Sequence, residues 1–524
     1  MHPSLTPAMA LFDLVVRAAV LAAVSPLSYL VFTYLRSPLK AIPGPFWAKF
    51  TDLWRVYSWW TGHAHLNQIE LHRKLGTAVR MGPNFVSLSD PNMIKTVYST
   101  KSPWKKSNMY SSNDVVVNGE LVSNIFATTD NKWHSKMVKP IRAIMSVSKV
   151  TSFEPGVDET IKLFCHEMEA RFVKDESLGL TIAMEKWILW YAYEGLYKMT
   201  FGVHRGYLEK GEDVNNFIKD SMAGIIYFGI CSQMPLLDKV YKFISNNITT
   251  PGPPPFLWAF QQAYAAVAER NAQREAGINA DRAPDLLDQF IDAKKTYPDI
   301  VDDDHKVVNY LFLNIVAGSD TTGTSLSAIV YYTLRNQQAY ARLRKELDAA
   351  GLDPTVPVSW RDCQSLIYLD AVIQEGLRIH PPIGLHLERV VPRGGSTLLD
   401  GRFLPEGTKV GMNAWVTNRS EELFGPDTDS FVPERWLRKE GEPEDEFKAR
   451  YARMKGLDFT FGYGSRICTG KSAAYLEMYK LIATIFLLYD FELMVEKEWK
   501  TTNFWFVLLE SLPIRLKRRT KARW

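Results

Sequence analysis

Residues 472–489, SAAYLEMYKLIATIFLLY, are apolar on most faces of the helix their spacing implies. A helix greasy all round has no face to give to water, so protein must surround it. A second run, HKVVNYLFLNIVAGSDTTGTSLSAIVYYTLRN at 305–336, reads as an unusually long helix of similar character. Two such helices require a large, mainly helical domain to bury them.

The rest of the chain agrees. Helical spacing recurs at 158–173 and 256–276, and short β-like pieces occur at 77–89 and 395–413. TTPGPPPFLW (249–258) is a proline-rich connector. With 524 residues and no linker dividing the chain after residue 45, the expected architecture is one domain over 42–524, mainly α with a smaller β region. The net charge of +4 is too mild to indicate nucleic acid. Its four cysteines, Cys165, Cys231, Cys363 and Cys468, are far apart, which suits neither a disulfide framework nor a zinc site.

The N-terminal segment 1–41 is distinct. Residues 18–35 carry no charge, and with Leu14, Val15 and Val16 the stretch is long enough to cross a bilayer as one transmembrane helix, about 14–35. Arg17 can snorkel at one end, while Arg36 and Lys40 favour a cytosolic C-terminal side. A cleaved signal peptide is the competing reading, but it would end in a small-residue cleavage site, whereas this stretch runs into RSPLKAIPGPF. Sequons stand at Asn247 and Asn418, and the C-terminal RLKRRTKARW is a basic tail suited to solvent or anionic lipid.

FGYGSRICTG (461–470) lies just before the apolar 472–489 helix. A free cysteine is most often a small buried hydrophobe. Here glycines let backbone approach something bulky, and the helix start and Arg466 both favour the Cys468 thiolate. A nucleophile would need a base, and the histidine closest in sequence is His386. One thiolate does not make a zinc site, but it suffices as the axial ligand of haem iron. AGSDTT (317–322) interrupts the other apolar helix with polar groups that are costly to bury. Its threonine hydroxyls can bond back to carbonyls one turn earlier and distort the helix. EGLR places Glu375 and Arg378 on one helix face.

FGYGSRICTG resembles the haem-binding loop of the cytochrome P-450 family, F-x-x-G-x-R-x-C-x-G, with Phe461, Gly464, Arg466, Cys468 and Gly470 at the five fixed positions. AGSDTT fits the family pattern [A/G]-G-x-[D/E]-T-[T/S], and EGLR followed by VPERW (432–436) fits its Glu–Arg–Arg triad. The matching motifs run in the family's order from about Ile42 onward, and the segment from Leu387 to Trp436 looks most like fungal microsomal members, including the pisatin-demethylase-like group.

The resemblance implies the P-450 fold and haem b, with Cys468 as iron's axial ligand and Arg466, Arg389 and Trp133 at the cofactor. It implies a structural triad of Glu375, Arg378 and Arg435, and a proton relay through Asp320 and Thr321. The family's W-x-x-x-R motif is broken: Trp133 is present, but Met137 replaces the arginine, leaving His134, Lys136 or Lys139 as substitutes. The implied reaction is monooxygenation of a hydrophobic terpenoid, alkaloid or polyketide in fungal secondary metabolism. The substrate pocket is expected at 107–127, 314–319, 383–387 and 504–506. With no flavin or nicotinamide fingerprint in the chain, electrons would come from NADPH through a separate cytochrome P-450 reductase, with cytochrome b5 as a second donor. A monomer in the endoplasmic reticulum membrane is expected. A haem-thiolate isomerase or dehydratase, or a non-enzymatic haem-binding membrane protein, would keep the same loop; Asp320 with Thr321 weighs against both.

Overall fold

The computed structural model describes residues 28, 30–117, 120–173, 180–247, 256–278, 281–495 and 498–519. Most of the 14–35 segment, most of the 249–258 connector and the end of the basic tail lie outside these. No helix among the described residues is long and apolar enough to cross a membrane.

Strands β1 (Ala78–Gly82) and β2 (Phe85–Leu88) form an antiparallel hairpin, and the short β3 (Lys105–Lys106) follows. The helices needed below are α1 (Asn131–Ile144), α2 (Glu154–Phe172), α3 (Met184–Phe201), α4 (Phe217–Cys231), α5 (Asp304–Ala317), α6 (Asp320–Arg335) and α7 (Ile367–Ile379). After them come β4 (Arg389–Val390), β5 (Lys409–Gly411), α8 (Lys471–Leu488), β6 (Thr501–Asn503) and β7 (Val507–Leu509). One five-stranded sheet has the order β1-β2-β5-β4-β3, and β6 pairs with β7 as a separate hairpin.

The apolar helix α8 is enclosed as its composition demands. Every residue from Leu476 to Tyr489 is buried, and α2, α6 and α7 pack around it. Lys480 is tolerated in this setting because its Nζ donates to Glu154 at 2.6 Å and to the Val358 carbonyl at 2.9 Å, with Asp158 at 2.8 Å. Helix α3 packs against α6 as well. At Gly376 of α7 a Cβ would come within 2.6 Å of Ile329, so glycine is what lets α7 and α6 meet this closely.

The long run 305–336 is two helices and not one. The carbonyls of Ala317 and Gly318 accept the hydroxyls of Thr321 (2.9 Å) and Thr322 (3.1 Å), so the threonines replace backbone bonding at the break. The distortion expected from AGSDTT is therefore a break between α5 and α6.

A buried triad ties the helical core to the loop carrying Cys468. Glu375 is fully buried and accepts from Arg378 Nε and Nη2 (2.8 and 2.7 Å), Arg435 Nε (2.9 Å), Trp436 Nε1 (2.9 Å) and the Val432 N–H (2.9 Å). Burial raises its pKa, but Arg378 and Arg435 outweigh this and hold it below the usual carboxylate range. Arg378 also donates to the carbonyls of Asn418, Thr428 and Ser430. Asn418 in turn donates to Asp458 and Thr460 and accepts from the Phe459 N–H. Its side chain is fully buried, so the Asn418 sequon has no free amide to modify. The side chain of Asn247 lies outside the described residues.

Removing the central acid leaves two buried guanidinium groups facing each other. Glu375→Ala should lower unfolding free energy by about 3–5 kcal/mol, measured by chemical denaturation. A loss below about 1 kcal/mol, the range of an exposed pair, would show that the triad does not hold the core.

Candidate functional site

The Cys468 loop is shaped by its contacts. Gly464 has φ +69°, and a Cβ there would lie 1.7 Å from the Tyr98 carbonyl, so no other residue fits. The Cys468 N–H donates to the Phe461 carbonyl at 2.9 Å, which folds the loop back on itself. Gly470 is the N-cap of α8. Cys468 is exposed toward open space, yet its enclosed setting leaves the thiol pKa raised on balance, the N–H groups of Gly470 and Lys471 and the Lys471 charge only partly offsetting this, so the helix start alone does not secure the thiolate. The cysteine opens into a cavity of about 300 Å³.

That cavity lies between the Cys468 loop and the break separating α5 from α6. Thr321 and Thr322 line it with Asn314, Ala317 and Gly318. So do Asn113, Ile125 and Phe126, then Ile383, Leu385 and Leu387, then Trp505 and Phe506. All four stretches named from the sequence therefore reach the wall. Phe504 and Ser319 do not: the Phe504 carbonyl sits against Gly229, and the Ser319 hydroxyl is buried without a partner.

One edge of the cavity is cationic. Arg466 donates to the Ile125 carbonyl (3.3 Å) and to Asn131 Oδ1 (3.0 Å), and its Nε is buried with no partner. Lys106 is buried, donates to the Phe126 carbonyl, and lies 3.9 Å over the Tyr110 ring and 4.2 Å over the Phe126 ring. Burial, with Arg389 and Arg466 nearby, pushes its pKa far down. Arg389 is buried on β4 behind this edge, 4.8 Å over the Tyr98 ring. The adjacent carboxylate, Glu388, is already engaged by Arg55 and Ser107. Among the lining residues the one carboxylate is Glu477. Cations gathered without counter-charges, one with an orphaned N–H, call for an anionic ligand. A flat group carrying two carboxylates and a metal open to a thiolate, as haem is, fits these residues.

The residues around Met137 differ in whether they could stand in for the missing arginine. The Met137 side chain is buried and its carbonyl accepts from the Tyr310 hydroxyl at 2.8 Å. Lys136 and Lys139 are exposed. His134 does line the cavity, but burial and the neighbouring cations push its pKa far down and keep it neutral. Trp133 is half-buried on the core and does not line the cavity. Lys106 also lines the cavity, and an anionic ligand beside it would offset the burial and the cationic neighbours that push its pKa down. Its signal in the sequence, a lysine in a segment with Trp104 and Tyr110, was too general to read.

Asp320 and Thr321 are adjacent but point differently. Thr321 lines the cavity, whereas Asp320 is buried beside it. The Tyr193 hydroxyl donates to one Asp320 oxygen (3.1 Å) and Ser221 of α4 donates to the other (3.0 Å). Burial raises Asp320 from 3.8 to about 6 against the pull of these two bonds. Glu477 was not singled out from the sequence. It lines the cavity with Oε1 unpartnered, and burial pushes it to about 8.

Residues 42–518 match the family model described as Cytochrome P450. The chain is 33% identical over 498 residues to the cytochrome P450 monooxygenase cfoH of Aspergillus candidus, covering 95% of this chain and 91% of the relative. It is similar to a cytochrome P450 monooxygenase of Aspergillus terreus, 38% identical with 89% and 93% covered. It is also similar to cicH of Emericella nidulans, 37% identical with 93% and 95% covered.

The raised Asp320 pKa has a testable sign. Between its unfolded value of 3.8 and its folded value of about 6, the native state keeps a proton that the unfolded chain releases. Stability therefore falls as pH rises through that window and is level above it, by a total of about 3 kcal/mol. Asp320→Asn should lack this slope in denaturation curves taken from about pH 4 to pH 7. An unchanged slope would assign the effect to another group.

Proposed function

The chain belongs to the cytochrome P450 family and is a monooxygenase of it, and from that premise we propose how its own residues divide the work. Cys468 would hold the haem iron through its thiolate, and Arg466 and Lys106, backed by Arg389, would hold the haem carboxylates. When bound, the haem supplies dioxygen activation and insertion of one oxygen atom into the substrate, the second leaving as water. Thr321 presents its hydroxyl at the helix break, where a proton must be handed over in the cavity. Asp320, one residue away and mainly ionised while Tyr193 and Ser221 donate to it, would take up a proton and pass it on when its carboxyl turns toward Thr321. The apolar wall excludes water and admits a hydrophobic small molecule, which we place in fungal secondary metabolism.

Electrons would come from NADPH through a separate cytochrome P-450 reductase, with cytochrome b5 as a second donor. Endoplasmic reticulum attachment would use the apolar segment 14–35. Phe46, Trp47, Tyr57 and Trp60, and Leu236 and Val240 further on, are exposed and support this reading as a greasy surface for lipid.

The observation that carries the proposal is the opening of Cys468 and an unpaired cationic edge into the cavity that Thr321 also lines. The full-length protein should bind haem b, and its reduced carbon monoxide complex should show the red-shifted Soret band of thiolate ligation. A folded preparation that takes up no haem would overturn the assignment. Thr321→Ala should lower product formed per NADPH roughly tenfold or more by removing a positioned proton donor, with peroxide rising to match. Unchanged coupling would take Thr321 out of the relay.

A further inference from the structure

One polar group on the cavity wall has no part in holding haem or moving protons. Asn113 is 1% exposed and lines the cavity. Its amide orientation is fixed by Asn124. The Oδ1 of Asn124 accepts from the Ala127 N–H at 2.9 Å, so the Asn124 Nδ2 is the donor end. That Nδ2 donates to Asn113 Oδ1 at 3.0 Å and to the Asn113 carbonyl at 3.2 Å. Oδ1 of Asn113 is therefore the acceptor end, and its Nδ2 donor is left buried with no partner. The segment cannot easily turn away: Asn309 of α5 accepts from the Ile125 N–H (3.3 Å) and donates to the Ser123 carbonyl (3.0 Å).

Close by, the wall carries flat aromatic surface. Phe126 stacks on Trp505 with centroids 5.2 Å apart and planes 28° apart, and Trp505 is followed by Phe506 at 4.9 Å and 38°. Phe228 backs Trp505 at 4.2 Å. Trp505 has φ +138°, a strained conformation for a bulky residue. It is held there by its N–H bonding Asn503 (3.1 Å) and its carbonyl accepting from Gly384 (2.9 Å). Strain maintained at a binding wall marks a ring placed for contact.

We propose that Asn113 donates a hydrogen bond to the substrate, and that the substrate is a planar aromatic molecule bearing a carbonyl oxygen, its ring against Phe126 and Trp505. This rests on the monooxygenase reading above. A neutral amide donor selects an acceptor without demanding charge, and a site with an unpaired buried donor discriminates against analogues that cannot accept. With Lys106 over Phe126 and Phe228 against Trp505, the edges of these rings are what is left to a ligand, and edge-to-face contact favours a flat π face over a puckered ring.

The test uses the full-length haem-loaded protein, checked first by its carbon monoxide spectrum, and spin-state titrations with three probes. Methyl naphthyl ketone should bind roughly tenfold tighter than isopropylnaphthalene, which has the same shape without the acceptor. It should also bind several-fold tighter than decalyl methyl ketone, which keeps the carbonyl but loses the flat ring. Asn113→Asp retains the acceptor for Asn124 and removes the donor, and should bring the ketone down to the hydrocarbon's affinity. Asn113→Leu should do the same and serves if the aspartate variant folds poorly. Equal affinities in the unaltered protein, or a ketone preference surviving both substitutions, would overturn the role of Asn113. Equal binding of the two ketones would overturn the aromatic half. Absence of the thiolate band would instead sink the haem reading on which the proposal stands.

Discussion

One carboxylate, Glu375, organises the half of the molecule that presents the thiolate. Burying it alone would be prohibitive, and five donors converge on it. The two guanidinium groups that neutralise it then use their remaining N–H groups on carbonyls from 418 to 430. That stretch holds only the short helix Glu421–Phe424, so the arginines satisfy carbonyls that its own backbone bonds leave over. Through Asn418 the same network reaches Phe459 and Thr460, immediately before the loop bearing Cys468. Helix α7 thus fixes by hydrogen bonds where the loop begins, while Gly464 and the Cys468–Phe461 bond fix its course to the sulfur.

The cavity shows a complementary logic. Lys106, Arg389 and Arg466 are gathered where the adjacent carboxylate, Glu388, is taken up by Arg55 and Ser107, an arrangement more favourable around a dianion than in an empty protein. Cation–π contacts with Tyr110 and Phe126 partly shelter Lys106. They also place Phe126 between two tasks, since its other neighbour is Trp505 on the substrate wall. Cofactor edge and substrate wall are therefore coupled through one phenyl ring.

What the sequence could disclose follows from how local each feature is. The Cys468 loop, the helix break at Gly318 and the Glu375–Arg378 pair are short-range patterns whose chemistry lies within a few residues, and all were legible. The enclosure of α8 followed from composition alone. The partners of Asp320 were not legible, because Tyr193 and Ser221 are 127 and 99 residues away and sit on helices whose placement no local pattern encodes. Lys106 was missed for the same reason: its role depends on the distant Arg389 and Arg466. Trp133 illustrates the reverse, a residue carried along by a motif whose arginine is absent and whose ring lies against the core.

Two buried acids on the same helical core show what hydrogen bonds alone can change. Asp320 and Glu477 are both fully enclosed, and burial is the leading cause of both shifts. Asp320 has two hydroxyl donors that favour its charged form, and it reaches only about 6. Glu477 has no such donor and reaches about 8. At neutral pH the first is therefore mainly ionised and the second mainly protonated. The ionised group is the one held away from the cavity, and the protonated one lines it. An apolar chamber of this kind can tolerate an acid in its wall only while that acid stays neutral, which is the state that the lack of donors around Glu477 enforces.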